Sequence, residues 1–345
     1  MELPLICREN LNTLTEHAEL SALRQCVRRM TENYRTESGK GSVLVRTGDE
    51  VLAYAAVRMP ATFGAVSSAL KQTLSCLSAE THDGIRTVLD LGAGTGAGAW
   101  AVSVPFPEAE ITCVERETEM IRIGKALREN AAGTVQWEQA DALSAVRRYA
   151  ESGKTFDLVL ASYMTNELSD ADRERLTADL WRITGKVLLI IEPGTVVGAS
   201  ILRNIRTVLL SHGARIAAPC PCSGICPLPE TDWCHFAVRI ARSRLHKLLK
   251  GGDVPYEDEK FSYLACTKDT PIPCGTRILR HPMKESGRIS LSPAPRKASC
   301  PVPLQNGKKK HFPMHGKRIG ETHSRCTKKF ENFSKKRELF SGNRV

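Results

Sequence analysis

The stretch VLDLGAGTGAGAW, residues 88–100, restricts the fold more than any other part of the chain. Val88 to Leu91 read as a buried strand, and the glycines at 92, 94, 96 and 98 read as a turn that runs directly into a helix. Glycine reaches positive φ without a Cβ penalty, so a backbone built this way can curl closely around a bulky ligand. A strand that feeds a helix through such a turn belongs to a parallel sheet covered on both faces. The flanking sequence repeats the rhythm: TVLDL, EITCV, TVQWE, FDLVLAS, KVLLIIE, ARIAAP and FSYLACT are short apolar or β-branched runs separated by amphipathic segments. The expectation is an α/β fold, a Rossmann-like, doubly wound sheet of seven strands over residues 81–268. An N-terminal helical region fills 1–80, because ELSALRQCVRRMTENY and FGAVSSALKQTLSCL carry apolar residues at helical spacing.

Three consecutive strands end in residues suited to a nucleoside ligand. Asp90 lies at the end of the first strand, with Gly92, Ala93, Gly94 and Gly96 following it. Glu115 ends the second, where an acid can accept hydrogen bonds from both ribose hydroxyls, and Asp141 follows the third, near an adenine amino group. NAD would use such a site, but the glycine order resembles the D-x-G-x-G-x-G loop of class I methyltransferases more than G-x-G-x-x-G. S-adenosylmethionine (SAM) is the expected cofactor; a plain tight turn with a solvated Glu115 is the alternative. After the fourth strand the chain reads ASYMTNELSD, where amino-methylating enzymes often carry N-P-P-Y. Asn166 and Glu167 stand there without the prolines and serve equally well as a loop-to-helix cap, so no catalytic residue is assigned.

The segment APCPCSGICPLPETDWCHF places Cys220, Cys222, Cys226 and Cys234 on an irregular, proline-broken loop, read as a metal loop at 219–236. Four thiolates can hold zinc, or three can bind an iron–sulfur cluster and leave one over; the spacing does not choose, and inert buried thiols are the third reading. Twelve cysteines without a secretion signal point to a reducing compartment. The cytoplasm is the expected location and the mitochondrial matrix the alternative. No membrane span is expected. A net charge of +11 favours an anionic partner, above all nucleic acid. The charge is concentrated in 269–345, a basic stretch of low apolar content read as a flexible tail.

RMPATFGAV, LDLGAGTG, NELSDADRERL, IIEPGT, APCPCSGICPLPETDWCHFAVRIARSRLHKLLK and YEDEKFSYL together closely resemble one family, the methyltransferase-like assembly factors of the small ribosomal subunit known from mitochondria and bacteria. The resemblance spans about Tyr54 to Pro282. It implies a class I SAM-dependent methyltransferase fold, association with the small ribosomal subunit and its rRNA, and a 4Fe-4S cluster, with zinc the alternative. Carried over by position, Cys220, Cys226 and Cys234 are cluster ligands. Cys222 stands where the family has His, and Cys300 is the candidate fourth ligand, with Cys266, Cys274 and Cys326 as rivals. The family's terminal aromatic-and-acid motif is absent, so the tail has diverged or changed reading frame. Two functions follow: an rRNA methyltransferase, or a catalytically inactive rRNA-binding factor that uses SAM and the cluster structurally. The chain is expected to be a monomer when free. For RNA contact the candidates are the tail and a helix over RIARSRLHKLLK bearing Arg239, Arg242, Arg244, Lys247 and Lys250.

Overall fold

The computed structural model describes residues 1–36 and 47–272, except 221, 223, 225 and 230, together with strands 283–285 and 288–290. All belong to one compact unit, 1–302. Helices α1 (Leu5–Thr15), α2 (Leu20–Thr36), α3 (Gly48–Val57), α4 (Met59–Leu74) and α5 (Ala79–Asp83) precede the sheet. Then come β1 (Thr87–Leu91), α6 (Ala97–Ser103), β2 (Glu110–Glu115), α7 (Thr118–Leu127), β3 (Thr134–Gln139), α8 (Ala142–Ser152) and β4 (Phe156–Ser162). A 3-10 turn, Thr165–Glu167, leads to α9 (Asp170–Ile183), β5 (Thr184–Pro193), α10 (Val196–Ser211), β6 (Arg215–Ala218), β7 (Phe236–Ala241), α11 (Arg244–Lys250) and β8 (Tyr256–Thr267).

The strands run in the order β3-β2-β1-β4-β5-β8-β6. β1 to β5 pair in parallel, while β8 is antiparallel to β5 and β6. Both faces are covered, and alternation along each strand divides the core in two. Val187, Leu189 and Ile191 of β5 join a cluster with Leu23, Val51, Phe63 and Trp100 from the N-terminal helices and α6. Leu188 and Ile190 face the other way, against Val146, Leu180, Ile205 and Leu209 of α8, α9 and α10. The N-terminal helices thus share a core with the sheet.

The sheet has eight strands where seven were expected. The addition is β7, antiparallel to the first half of β8, which is longer than FSYLACT alone. The helix expected over RIARSRLHKLLK takes in RIA, the second half of this strand, whose period is two: Ile240 is buried and Arg239 exposed. Gly64 of α4 admits this strand, because a Cβ there would collide with the Ile240 side chain. The helix over RIARSRLHKLLK is therefore confined to Arg244–Lys250, capped by Ser243, and Arg239 and Arg242 lie before it.

Within 269–345 the described residues include an antiparallel pair of short strands, β9 (Met283–Glu285) and β10 (Arg288–Ser290). Cys274, Cys300 and Cys326 lie outside the described residues. No helix among the described residues is long and apolar enough to cross a membrane.

Candidate cofactor cleft and cysteine cavity

The carboxyl ends of β1, β2 and β4 converge on the glycine turn. Gly92, Gly94 and Gly96 have φ of +66°, +56° and +85°, a region that disfavours any side chain. The turn is stitched to β2, since Gly92 N–H and Ala93 N–H both donate to the Val114 carbonyl, at 2.9 and 3.1 Å. Asp90 is fully buried beneath it, and its Oδ2 accepts from Ala99 N–H at 2.9 Å, at the start of α6. Burial pushes the Asp90 carboxyl up to about 7, the Ala99 hydrogen bond works against that rise, and the nearby Glu115 charge adds to it.

Glu115 closes the turn from the other side. Its Oε2 accepts from Gly94 N–H at 2.8 Å, and its Oε1 accepts from Arg116 N–H and Glu117 N–H at 2.8 and 3.0 Å. A carboxylate has about four acceptor positions, so three backbone donors leave room for roughly one more. Asp141 is exposed at the N-cap of α8, accepting from Ser144 N–H at 3.0 Å. Its neighbour Ala140 donates to the Glu115 carbonyl at 3.1 Å, which ties the loops after β2 and β3 together. Asp90, Gly92, Ala93, Gly94, Gly96 and Glu115 thus form one cradle, with Asp141 at its margin.

The loop after β4 forms the opposite wall. Tyr163 adopts φ +58°, uncommon for a bulky residue, and its hydroxyl donates to Glu259 Oε1 at 2.9 Å. Arg58 Nη1 donates to Glu259 Oε2 at 3.2 Å, and Met164 packs over Gly92. The 3-10 turn that follows is held by Glu192, fully buried at the end of β5, whose Oε1 accepts from Thr165 N–H at 3.0 Å and Thr165 Oγ1 at 2.5 Å. Burial lifts the Glu192 carboxyl to about 7 against these donors, and burial raises Glu167 as well. Asp90 Oδ1, Thr95 Oγ1, Asn166 Oδ1 and Glu192 Oε2 are buried without a hydrogen-bond partner among the described residues. Tyr163, Glu192 and Glu259 were not foreseen as site residues; a glutamate closing the apolar run VLLIIE was the available signal for Glu192.

The second site lies across α10. Cys220, Cys226 and Cys234 line one cavity with Arg203, Arg206, Leu202 and Tyr263. Cys222 is buried, and its backbone N–H bonds to the Cys220 thiol. Burial pushes that thiol up, while the Arg206 guanidinium and the Cys222 N–H oppose the shift. Ser262 Oγ donates to the Cys234 carbonyl at 2.8 Å, and Trp233 Nε1 donates to the Gly194 carbonyl at 3.1 Å, which anchors the far side of the loop to β8 and β5. Cys266 is fully buried within β8, paired to Leu188 and Ile216. Among the described residues no three His, Cys, Asp or Glu side chains stand in an arrangement that could hold one metal ion. Arg206 was missed in the sequence, although it sits four residues after Leu202 and three before Leu209, on the apolar stripe of its helix.

Residues 48–294 match the family described as mitochondrial small ribosomal subunit Rsm22. Over 293 residues, 80% of this chain, the sequence is 27% identical to the human protein described as ribosome assembly protein METTL17, mitochondrial; the chain spans 60% of that relative's length. Among solved structures, a SAM-dependent methyltransferase from Agrobacterium tumefaciens is 15% identical with a TM-score of 0.40, covering 59% of this chain and 61% of that one. Magnesium protoporphyrin IX methyltransferase from Synechocystis PCC 6803, solved with bound SAM, is 11% identical with a TM-score of 0.39, covering 71% and 97%.

Proposed function

The chain belongs to the Rsm22 family of the mitochondrial small ribosomal subunit, and we propose that it is a SAM-binding, methyltransferase-like factor acting on small-subunit rRNA during ribosome assembly. The observation that carries this reading is the cradle of Asp90, Gly92, Gly94 and Glu115, in which backbone at positive φ lies against two acids. The chemistry of the set fits SAM. Its sulfonium and ammonium groups are cationic, its ribose offers two hydroxyl donors, and the cleft supplies carboxylates and unsatisfied acceptor oxygens. Asp90 and Glu115 would hold the polar ends of the cofactor, and Asp141 the adenine edge.

The family and the 27%-identical relative support the small subunit as partner. That relative is mitochondrial by its description, which favours the matrix over the cytoplasm. The cysteine cavity supports a metal–thiolate centre held by Cys220, Cys226 and Cys234, while Cys300, outside the described residues, is a candidate fourth ligand from the resemblance alone. A tetrahedral zinc needs its thiolates about 2.3 Å from one point. The donor set, three cysteines lining one cavity, is the observation that supports a metal–thiolate centre, and the choice of an iron–sulfur cluster over zinc comes from the family resemblance. Such a cluster would supply electron transfer or a rigid staple for the loop.

A second reading, a binding factor without methyl transfer, is favoured by the turn Thr165–Glu167, which lacks prolines and is fastened by Glu192. Incubating the purified full chain with methyl-labelled SAM and immature small subunits separates the two. Label in the rRNA establishes the enzyme, and SAM affinity without label establishes the binding factor. Absence of SAM affinity refutes both.

A further inference from the structure

Arg206 presents a charge that no ion pair among the described residues balances. It is only 6% exposed, on the inward stripe of α10 among Leu202, Ile205 and Leu209. Its guanidinium donates to carbonyls alone: Nη2 to Cys222 and Gly224, both at 2.5 Å, and Nε to Gly224 at 3.1 Å. Among the described residues it forms no ion pair. Carbonyl dipoles orient a buried cation but do not neutralise it, and a buried cation without a counter-ion is strongly disfavoured. The cavity this guanidinium lines is walled by Cys220, Cys226 and Cys234. An anion held in that cavity would balance it.

Arg203, one turn earlier, extends the arrangement. Its Nη2 donates to the carbonyls of Pro229, at 3.3 Å, and Asp232. Two arginines on one helix thus grip the cysteine loop by its backbone at both ends. A clamp made by lysine would lack this reach, because the planar fork of arginine supplies several donors at fixed angles.

We propose that Arg206 is the buried counter-charge of an anionic metal–thiolate centre in this cavity and the positioning residue that holds its loop. The inference rests on the cluster reading given above and adds which residue balances its charge. Thiolate ligands leave such a centre net negative, and one-electron reduction adds a further negative charge. A fixed cation beside the cavity stabilises the reduced form more than the oxidised one and raises the potential.

The test uses the full chain, reconstituted anaerobically with iron and sulfide and titrated with dithionite, as wild type, Arg206→Lys and Arg206→Met. Iron and sulfide analysis of the wild type comes first; their absence overturns the cluster reading, and with it this proposal, before any variant is compared. With a cluster present, Arg206→Met is expected to shift the one-electron equilibrium at least tenfold toward the oxidised form, about 59 mV for a single electron. Arg206→Lys, which keeps the charge but not the fork, is expected to retain most of the potential while losing iron faster to a chelator. If Arg206→Met folds and keeps the wild-type potential, the counter-charge role is overturned while the cluster stands. Should Arg206→Met fail to fold, the lysine variant decides: chelation no faster than wild type overturns the clamp.

Discussion

Asp90 and Gly98 compete for the same space: a Cβ at Gly98 would stand 2.6 Å from both carboxylate oxygens of Asp90 and 2.5 Å from Leu160 Cδ2. The helix after the glycine turn can begin where it does because position 98 has no side chain. That close approach lets Asp90 reach the Ala99 N–H. Gly98→Ala is expected to force α6 away from β1 at a cost of about 1–3 kcal/mol, typical of overpacking in a core. Urea denaturation of the variant checks the loss, and SAM affinity is expected to fall with it because the displaced helix carries the turn. An alanine variant as stable as wild type would show that α6 can shift freely, contrary to this packing.

The two carboxyls lifted to about 7 by burial, Asp90 and Glu192, make a distinctive prediction for the cofactor-free protein. In the unfolded chain both titrate near 4, so between about pH 4 and pH 7 the folded state binds more protons than the unfolded state. Stability from these groups is present at the acid end and is lost as pH rises through 7. Each contributes on the order of 4 kcal/mol across that window, taking 1.36 kcal/mol per pH unit. Glu257 acts oppositely: held down by His246 and Lys250 despite burial, it stabilises above its unfolded value and loses that contribution only in stronger acid. Urea titrations from pH 4.5 to 7.5 should therefore show stability falling, with a shallower slope in Asp90→Asn. A rise over this range in the wild type would contradict the burial of these acids.

The sheet was legible because parallel strands buried on two faces are written as nearly unbroken apolar runs, as in VLLII of β5. β7 was not. In FAVRIA an exposed arginine and two alanines blur a period of two, and the strand is secured by pairing with the charged half of β8, beyond α11. That Asp90, the glycine turn and Glu115 come together could be read from position alone, since each lies at the carboxyl end of a neighbouring parallel strand. Glu192, Glu259 and Arg206 were hidden for the opposite reason. Each acts through a partner on another element, such as Thr165, Tyr163 or the Cys222 carbonyl, and only the folded chain brings those partners together.

Glu115 holds three backbone N–H groups with one side chain, so its removal has two consequences that a milder substitution separates. Glu115→Ala leaves all three donors to water or unpaired, with a destabilisation of about 1–3 kcal/mol for each one left buried. Glu115→Gln keeps one acceptor oxygen and most of the packing. Calorimetric SAM titrations are expected to show at least a tenfold loss of affinity for both variants, with thermal stability largely retained only in the glutamine form. Full SAM affinity in Glu115→Gln would remove this residue from the cofactor site.

The basic residues expected to touch RNA are not equivalent. Arg239 is bound to Asp258 at 2.8 Å and stacks over Tyr256, while Arg242 and Lys250 both bond to Glu257, at 3.0 and 2.8 Å. Arg239 is matched one to one, while Arg242 and Lys250 share the single Glu257 carboxylate. Arg244 and Lys247 form no ion pair among the described residues, and Arg244 is exposed. Binding of small-subunit rRNA should therefore lose about 0.7–0.9 of a unit of salt slope on replacing Arg244 or Lys247 with alanine, one phosphate contact each. The double variant Arg239→Ala/Asp258→Ala removes a matched pair and should leave the slope unchanged. Filter-binding or fluorescence titrations across a series of salt concentrations measure both. Equal slopes in all of these variants would place the RNA contact away from α11 and β7.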